Sequence, residues 1–124
     1  MESRRQAKVS KLLMRETAIL LQKNSRIWFG NRFVSVSQVK ITPDLSYAKV
    51  YVTFINEKNP EELLKLLQRR TKDVRMKLAT ALRNDLRKLP EIQFFYDDTL
   101  DYAEHMNRLL DDLNSPKKDS DQDS

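Results

Sequence analysis

The stretch Tyr47-Ala48-Lys49-Val50-Tyr51-Val52-Thr53-Phe54 constrains the fold more than any other part of the chain. Ala48, Val50, Val52 and Phe54 fall on one face, and Tyr47, Lys49, Tyr51 and Thr53 on the other. A period of two is the mark of a strand with one buried face, and it predicts a strand over 47–55. Just before it, Thr42-Pro43-Asp44-Leu45 reads as a turn, because Pro presets the bend and Asp can bond locally to the backbone. Upstream of the turn, residues 32–41 are rich in β-branched side chains and alternate in polarity. Val34 and Val36 share one parity, whereas Val39 and Ile41 share the other, so a bulge near Ser37-Gln38 is expected. The two strands form an antiparallel hairpin.

The flanking segments follow helical spacing. Over 4–23, Val9, Leu12, Leu13, Ile19 and Leu20 gather on one side, while Lys8, Lys11, Arg15 and Lys23 point elsewhere. Glu16 sits at the edge of that stripe. Asn24 to Asn31 reads as a connection around Gly30, the sole glycine; Trp28 and Phe29 in it are expected to fold back over the core, since exposed aromatics are costly to leave wet. After the hairpin, Asn59 is an N-cap, Pro60 suits the first helical position, and Glu61 and Glu62 complement the positive helix end. Glu62, three residues after Asn59, has capping-box spacing. Leu63, Leu67, Thr71, Val74, Leu78 and Ala81 then keep to one side. The run is long for one helix, and a break is expected at Ala79-Thr80-Ala81, ahead of Pro90. A third strand is expected at Ile92 to Tyr96, ended by Asp97-Asp98-Thr99. A short helix over 100–113 and a disordered acidic tail over 114–124 complete the reading. The fold class is α+β: αββααβ, a three-stranded sheet with helices on one face, in one domain spanning 1–113.

Chemistry is scarce. The absence of cysteine removes disulfides and thiolate ligands and fits a cytoplasmic location. One glycine cannot build a phosphate-cradling loop. His105 is the only histidine and reads as a surface side chain; Asp97-Asp98 read as a strand end and helix cap, not a magnesium site. No acid and base are paired for hydrolysis. The longest aliphatic run, Ala18 to Leu21, is far short of a membrane span of roughly 20 residues. The expectation is a non-enzymatic, membrane-free monomer without cofactor.

Charge is the informative quantity. Residues 1–90 hold 20 Lys/Arg against 8 Asp/Glu, whereas residues 91–124 hold 3 against 10. The formal net charge of +5 therefore conceals a basic body and an acidic end. Such a body either solvates itself or attracts polyanions. Candidate phosphate-binding residues are Arg75, Lys77, Arg83, Arg87 and Lys88, with Arg69, Arg70 and Lys72 in the same run and Arg32 and Lys49 adding to the surface; charge alone distinguishes RNA from DNA only weakly. Arg4, Arg5, Lys8 and Lys11 form a further group on the first helix, Arg26 flanks the loop, and Lys40 lies on the hairpin. Tyr47, Tyr51 and Tyr96 can stack bases where they face solvent.

The run from Pro43 to Phe54, together with Val74-Arg75, Ala81-Leu82-Arg83, Leu89-Pro90-Glu91-Ile92 and Phe94-Phe95-Tyr96-Asp97-Asp98, resembles the ribosome-binding factor A family over roughly residues 4–110. The resemblance implies a type II KH-like fold whose central helices meet at an alanine kink, here Ala81, with no Gly-x-x-G clamp. It further implies binding to free or immature 30S subunits and to 16S rRNA near its 5′ end and decoding region. Assistance to precursor processing, a requirement in the cold and cooperation with an assembly GTPase are also implied. Two stretches depart from the family pattern: Asn84-Asp85-Leu86 makes the segment before Pro90 about two residues longer, and Trp28-Phe29-Gly30-Asn31 replaces a polar stretch. Two other readings stand beside this one: an adaptor whose basic body docks an acidic protein, and a metal-dependent nuclease.

Overall fold

A computed structural model describes residues 2–98. The order of elements is α1 (Arg4–Phe29), β1 (Val34–Ile41), β2 (Tyr47–Phe54), α2 (Pro60–Arg69), α3 (Thr71–Leu82) and β3 (Glu91–Tyr96). This is the expected αββααβ order of a type II KH-like fold. The expected helix over 100–113, the tail over 114–124 and His105 lie outside the described residues.

The sheet order is β1-β2-β3, with β1 antiparallel and β3 parallel to the central β2. Parallel neighbours need a crossover, and α2 and α3 supply it. The hairpin is where the alternation put it. Val36 pairs with Val52 and Gln38 with Tyr51, leaving Ser37 as the bulged residue. That one extra residue puts Val34, Val36, Val39 and Ile41 all on the buried side. The turn closes with the Thr42 N–H donating to the Tyr47 carbonyl at 2.9 Å. One Asp44 carboxylate oxygen accepts from the Thr42 hydroxyl at 2.8 Å and the Ser46 hydroxyl at 2.7 Å, and from the Ser46 N–H at 3.1 Å. These bonds, led by that of the Ser46 side chain, hold the Asp44 carboxyl below the ordinary aspartate range.

α1 runs further than its polarity pattern suggests. It is capped by Ser3, which with Gln6 forms a reciprocal capping box, and it continues through the expected connection to Phe29. Asn24 to Phe29 are mediocre helix formers, but Trp28 and Phe29 are both buried, and tertiary burial outweighs propensity. The aromatic pair covers the core as expected, from a helix and not from a loop. Gly30 then ends α1 in the left-handed region at φ 62°, and Asn31 follows at 68°; both N–H groups point to the Ser25 carbonyl. The buried stripe of α1 also differs: Leu21 and Thr17 are inside, while Ile19 is 39% exposed.

The break between the central helices is the main correction. It falls at Arg70, not at Ala79-Thr80-Ala81. Arg70 leaves helical geometry at φ −92°, ψ 3°, and its N–H turns back to the carbonyls of Leu67 and Gln68. Its guanidinium lies 5.5 Å from the centre of the Trp28 ring and 3.2 Å from Asp73. Ala81 is exposed in the last turn of an unbroken α3, and the neighbouring Leu82 takes the buried position expected for it. At the start of α2, Asn59 does accept from the Glu62 N–H at 3.2 Å. The capping box is not completed, because the Asn59 N–H donates to Glu57. The core sits between the inner sheet face and the helices, with Leu13, Leu21, Phe29, Leu63, Leu67, Val74, Leu78 and Leu82 packed on Val50, Val52 and Phe94.

Candidate nucleic-acid interface

The fold sorts the ten candidate cations into different places. Arg83, Arg87 and Lys88 come together. Beyond α3 the chain makes another turn, with the N–H groups of Asp85 and Leu86 both donating to the Leu82 carbonyl. Leu86 and Leu89 pack against the core and turn their polar neighbours outward. The turn faces the start of α1. Arg5, Arg83 and Arg87 line a cavity of about 520 Å³ there, with Asn84, Asp85 and Leu86. A second cavity of about 240 Å³ has Arg5, Arg87 and Lys88 on its wall. All four cations are exposed, and none is ion-paired within the described residues. Asp85 is the one acidic side chain in the larger cavity. Asn84, Asp85 and Leu86 thus form part of the wall.

Arg69, Arg70 and Lys72 lie at the opposite end of α3, about 18 Å away at 1.5 Å per residue. Arg69 and Lys72 are exposed, whereas Arg70 is engaged by Trp28 and Asp73. Lys77 is exposed on the helix between them.

Three further candidates have structural engagements. Arg75 lies against the loop before β3: its Nη2 donates to the carbonyls of Leu89 at 3.4 Å and Pro90 at 3.5 Å, and it is 3.8 Å from Glu91. Its Nε is buried with no partner among the described residues. Arg32 bridges Glu62 at 3.0 Å and Glu57 at 3.6 Å, joining the start of β1 to the start of α2. Lys49 stands on the outer face of the sheet, 5.6 Å from the Phe95 ring centre. Arg5 lines the groove, although the sequence marks it only as one of a basic group on the first helix, since no local spacing links it to Arg87.

Among the described residues, no group of three or more His, Asp or Glu side chains is placed to hold a metal, and no helix is long and apolar enough to cross a membrane. The groove offers positive charge, planar guanidinium forks and a polar floor, which suit phosphate groups.

The family model described as ribosome-binding factor A matches residues 5–110. A ribosome-binding factor A from Cytophaga hutchinsonii is 41% identical over 119 residues, covering 96% of this chain and 90% of that protein. The crystal structure of ribosome-binding factor A from Thermus thermophilus superposes with a TM-score of 0.60 at 26% identity, covering 73% of this chain and 94% of the other. The Thermus thermophilus protein as fitted into a cryo-EM map of its 30S complex gives 0.57 at 26% identity, over 71% and 90%. With a family match across most of its length and a KH-like αββααβ fold, the chain belongs to the ribosome-binding factor A family.

Proposed function

We propose that this protein is an assembly factor that binds the small ribosomal subunit through 16S rRNA and makes or breaks no covalent bond. One observation carries the reading: four cations with no ion-pair partner among the described residues, Arg5 from α1 and Arg83, Arg87 and Lys88 from the segment after α3, line two adjoining cavities that form one groove. Each phosphate neutralised there releases counterions, so affinity arises without base recognition. The relative from Thermus thermophilus that was fitted into a 30S map supports the choice of partner. Lys77, Lys72 and Arg69 extend the contact along α3, and Arg70, Arg32 and Arg75 contribute mainly by holding the framework.

The finer elements of the proposal come from the family. They are contact near the 5′ end and decoding region of 16S rRNA, preference for free or immature 30S, help to precursor processing in the cold, and cooperation with an assembly GTPase. The protein acts in the cytoplasm as a monomer, its core domain spanning 1–113 with an acidic tail over 114–124.

Equilibrium binding to 16S rRNA over a range of salt concentrations tests the reading. Four phosphate contacts give a log–log slope of roughly −3 or steeper, at about 0.7–0.9 per contact. A flat response, or no rRNA binding beside tight salt-sensitive binding to an acidic protein, would establish the adaptor reading instead. RNA that stays intact after incubation with the protein and magnesium excludes the nuclease.

A further inference from the structure

The helices pack on one face of the sheet, and the other face is uncovered among the described residues. Lys40 projects there from β1, Lys49 and Tyr51 from β2, and Phe95 from β3. Tyr51 and Phe95 are partners in the parallel β2–β3 register. Their rings stack with centroids 5.6 Å apart and planes 29° from parallel. The Lys40 ammonium lies 5.5 Å from the centre of the Tyr51 ring, and that of Lys49 lies 5.6 Å from the centre of the Phe95 ring. Side chains from all three strands thereby make one chain of contacts, with two rings in the middle and an ammonium at each end. The carboxylates at the two ends of β3 are engaged: Glu91 faces Arg75, and Asp97 accepts from the Ser37 hydroxyl at 2.7 Å.

We infer that this face is a stacking platform for unpaired RNA bases, with Lys40 and Lys49 holding the flanking phosphates. The inference rests on the RNA-binding reading above and adds a second surface to it, distinct from the groove and selective for single strands. Tyr51 and Phe95 are half-buried, and a lysine over a partly exposed ring is held weakly. A nucleobase stacked on the same ring is held more firmly and without sequence preference. The base therefore displaces the ammonium, which moves to a phosphate and releases a counterion. A paired helix keeps its bases stacked inside and cannot make the exchange. An acidic protein would satisfy the two lysines but would leave the rings without partners. The face fits single-stranded RNA better.

The test uses the full chain and two fluorescent probes, a short oligouridylate and an RNA duplex, with binding read by anisotropy. Tyr51→Ala combined with Phe95→Ala alters only the outer sheet face, and circular dichroism checks that the variant is folded. The expected result is a loss of oligouridylate affinity of about tenfold or more, with duplex affinity unchanged. Tyr51→Phe, which keeps the ring, should bind as the parent does. Arg83→Glu with Arg87→Glu should show the converse, losing duplex affinity first. Oligouridylate affinity unchanged in the folded double alanine variant overturns the platform and leaves the groove reading standing. The same variant binding oligouridylate normally but losing the 30S subunit would assign the face to a protein partner and also overturn it. A parent chain that binds neither RNA removes both readings together.

Discussion

At the scale of single residues, the structure separates side chains that belong to the framework from those free to bind. Arg75 illustrates the first kind. Its sequence neighbours suggest a phosphate contact, yet its guanidinium reaches the carbonyls of Leu89 and Pro90. Arg75→Ala is expected to lower stability by about 1–3 kcal/mol, since hydrogen bonds to a charged group and its packing are lost together. Chemical denaturation measures this, and Arg87→Ala should leave the midpoint in place. Thr17 makes the opposite point. It is fully buried in α1, and its hydroxyl has no partner among the described residues. A buried donor without an acceptor carries its full desolvation penalty. Thr17→Val keeps the shape and is expected to raise stability by about 1 kcal/mol, seen as a higher melting temperature. A drop on substitution would mean that the hydroxyl is satisfied in solution.

Elements were legible in the sequence where their signals are local. The hairpin, its bulge at Ser37 and the Asn59 cap were read from parity and capping chemistry alone, because those constraints act within a few residues. The hairpin turn also carries a pH dependence. Asp44 has a lowered folded pKa, so its contribution is present above the unfolded carboxylate value and is lost as pH falls through the folded one. Thermal stability should therefore decline as pH falls below about 4, the ordinary carboxylate value, and Asp44→Asn should flatten that part of the profile. The position of the helix break was not legible. Arg70 is neither glycine nor proline, and the features around it, the Trp28 ring and Asp73, include an aromatic from the far end of α1. Ala79-Thr80-Ala81 is a patch of small residues, and small residues are compatible with an unbroken helix. Ala81→Leu, on the exposed side of α3, should change stability by no more than about 0.5 kcal/mol. A loss of several kcal/mol would restore Ala81 as a kink. The extension of α1 was missed for a related reason: burial of Trp28 and Phe29 decides it, and burial is not a local property.

Across the whole molecule, the proposed binding surface is a product of topology. The αββααβ order brings Arg5, near the start of the chain, beside the turn that follows α3. The sheet meanwhile turns its rings and lysines to the opposite side, away from the helices. Composition could show that residues 1–90 are strongly basic, but not which cations remain unpaired once Arg32, Arg70 and Arg75 are engaged. The most direct test is sedimentation with purified 30S subunits through a sucrose gradient, comparing the parent chain with Arg83→Glu/Arg87→Glu/Lys88→Glu. The parent should travel with the 30S peak and the triple variant should stay at the top, with identical circular dichroism spectra. A folded triple variant that still travels with 30S would show that the groove does not hold the subunit.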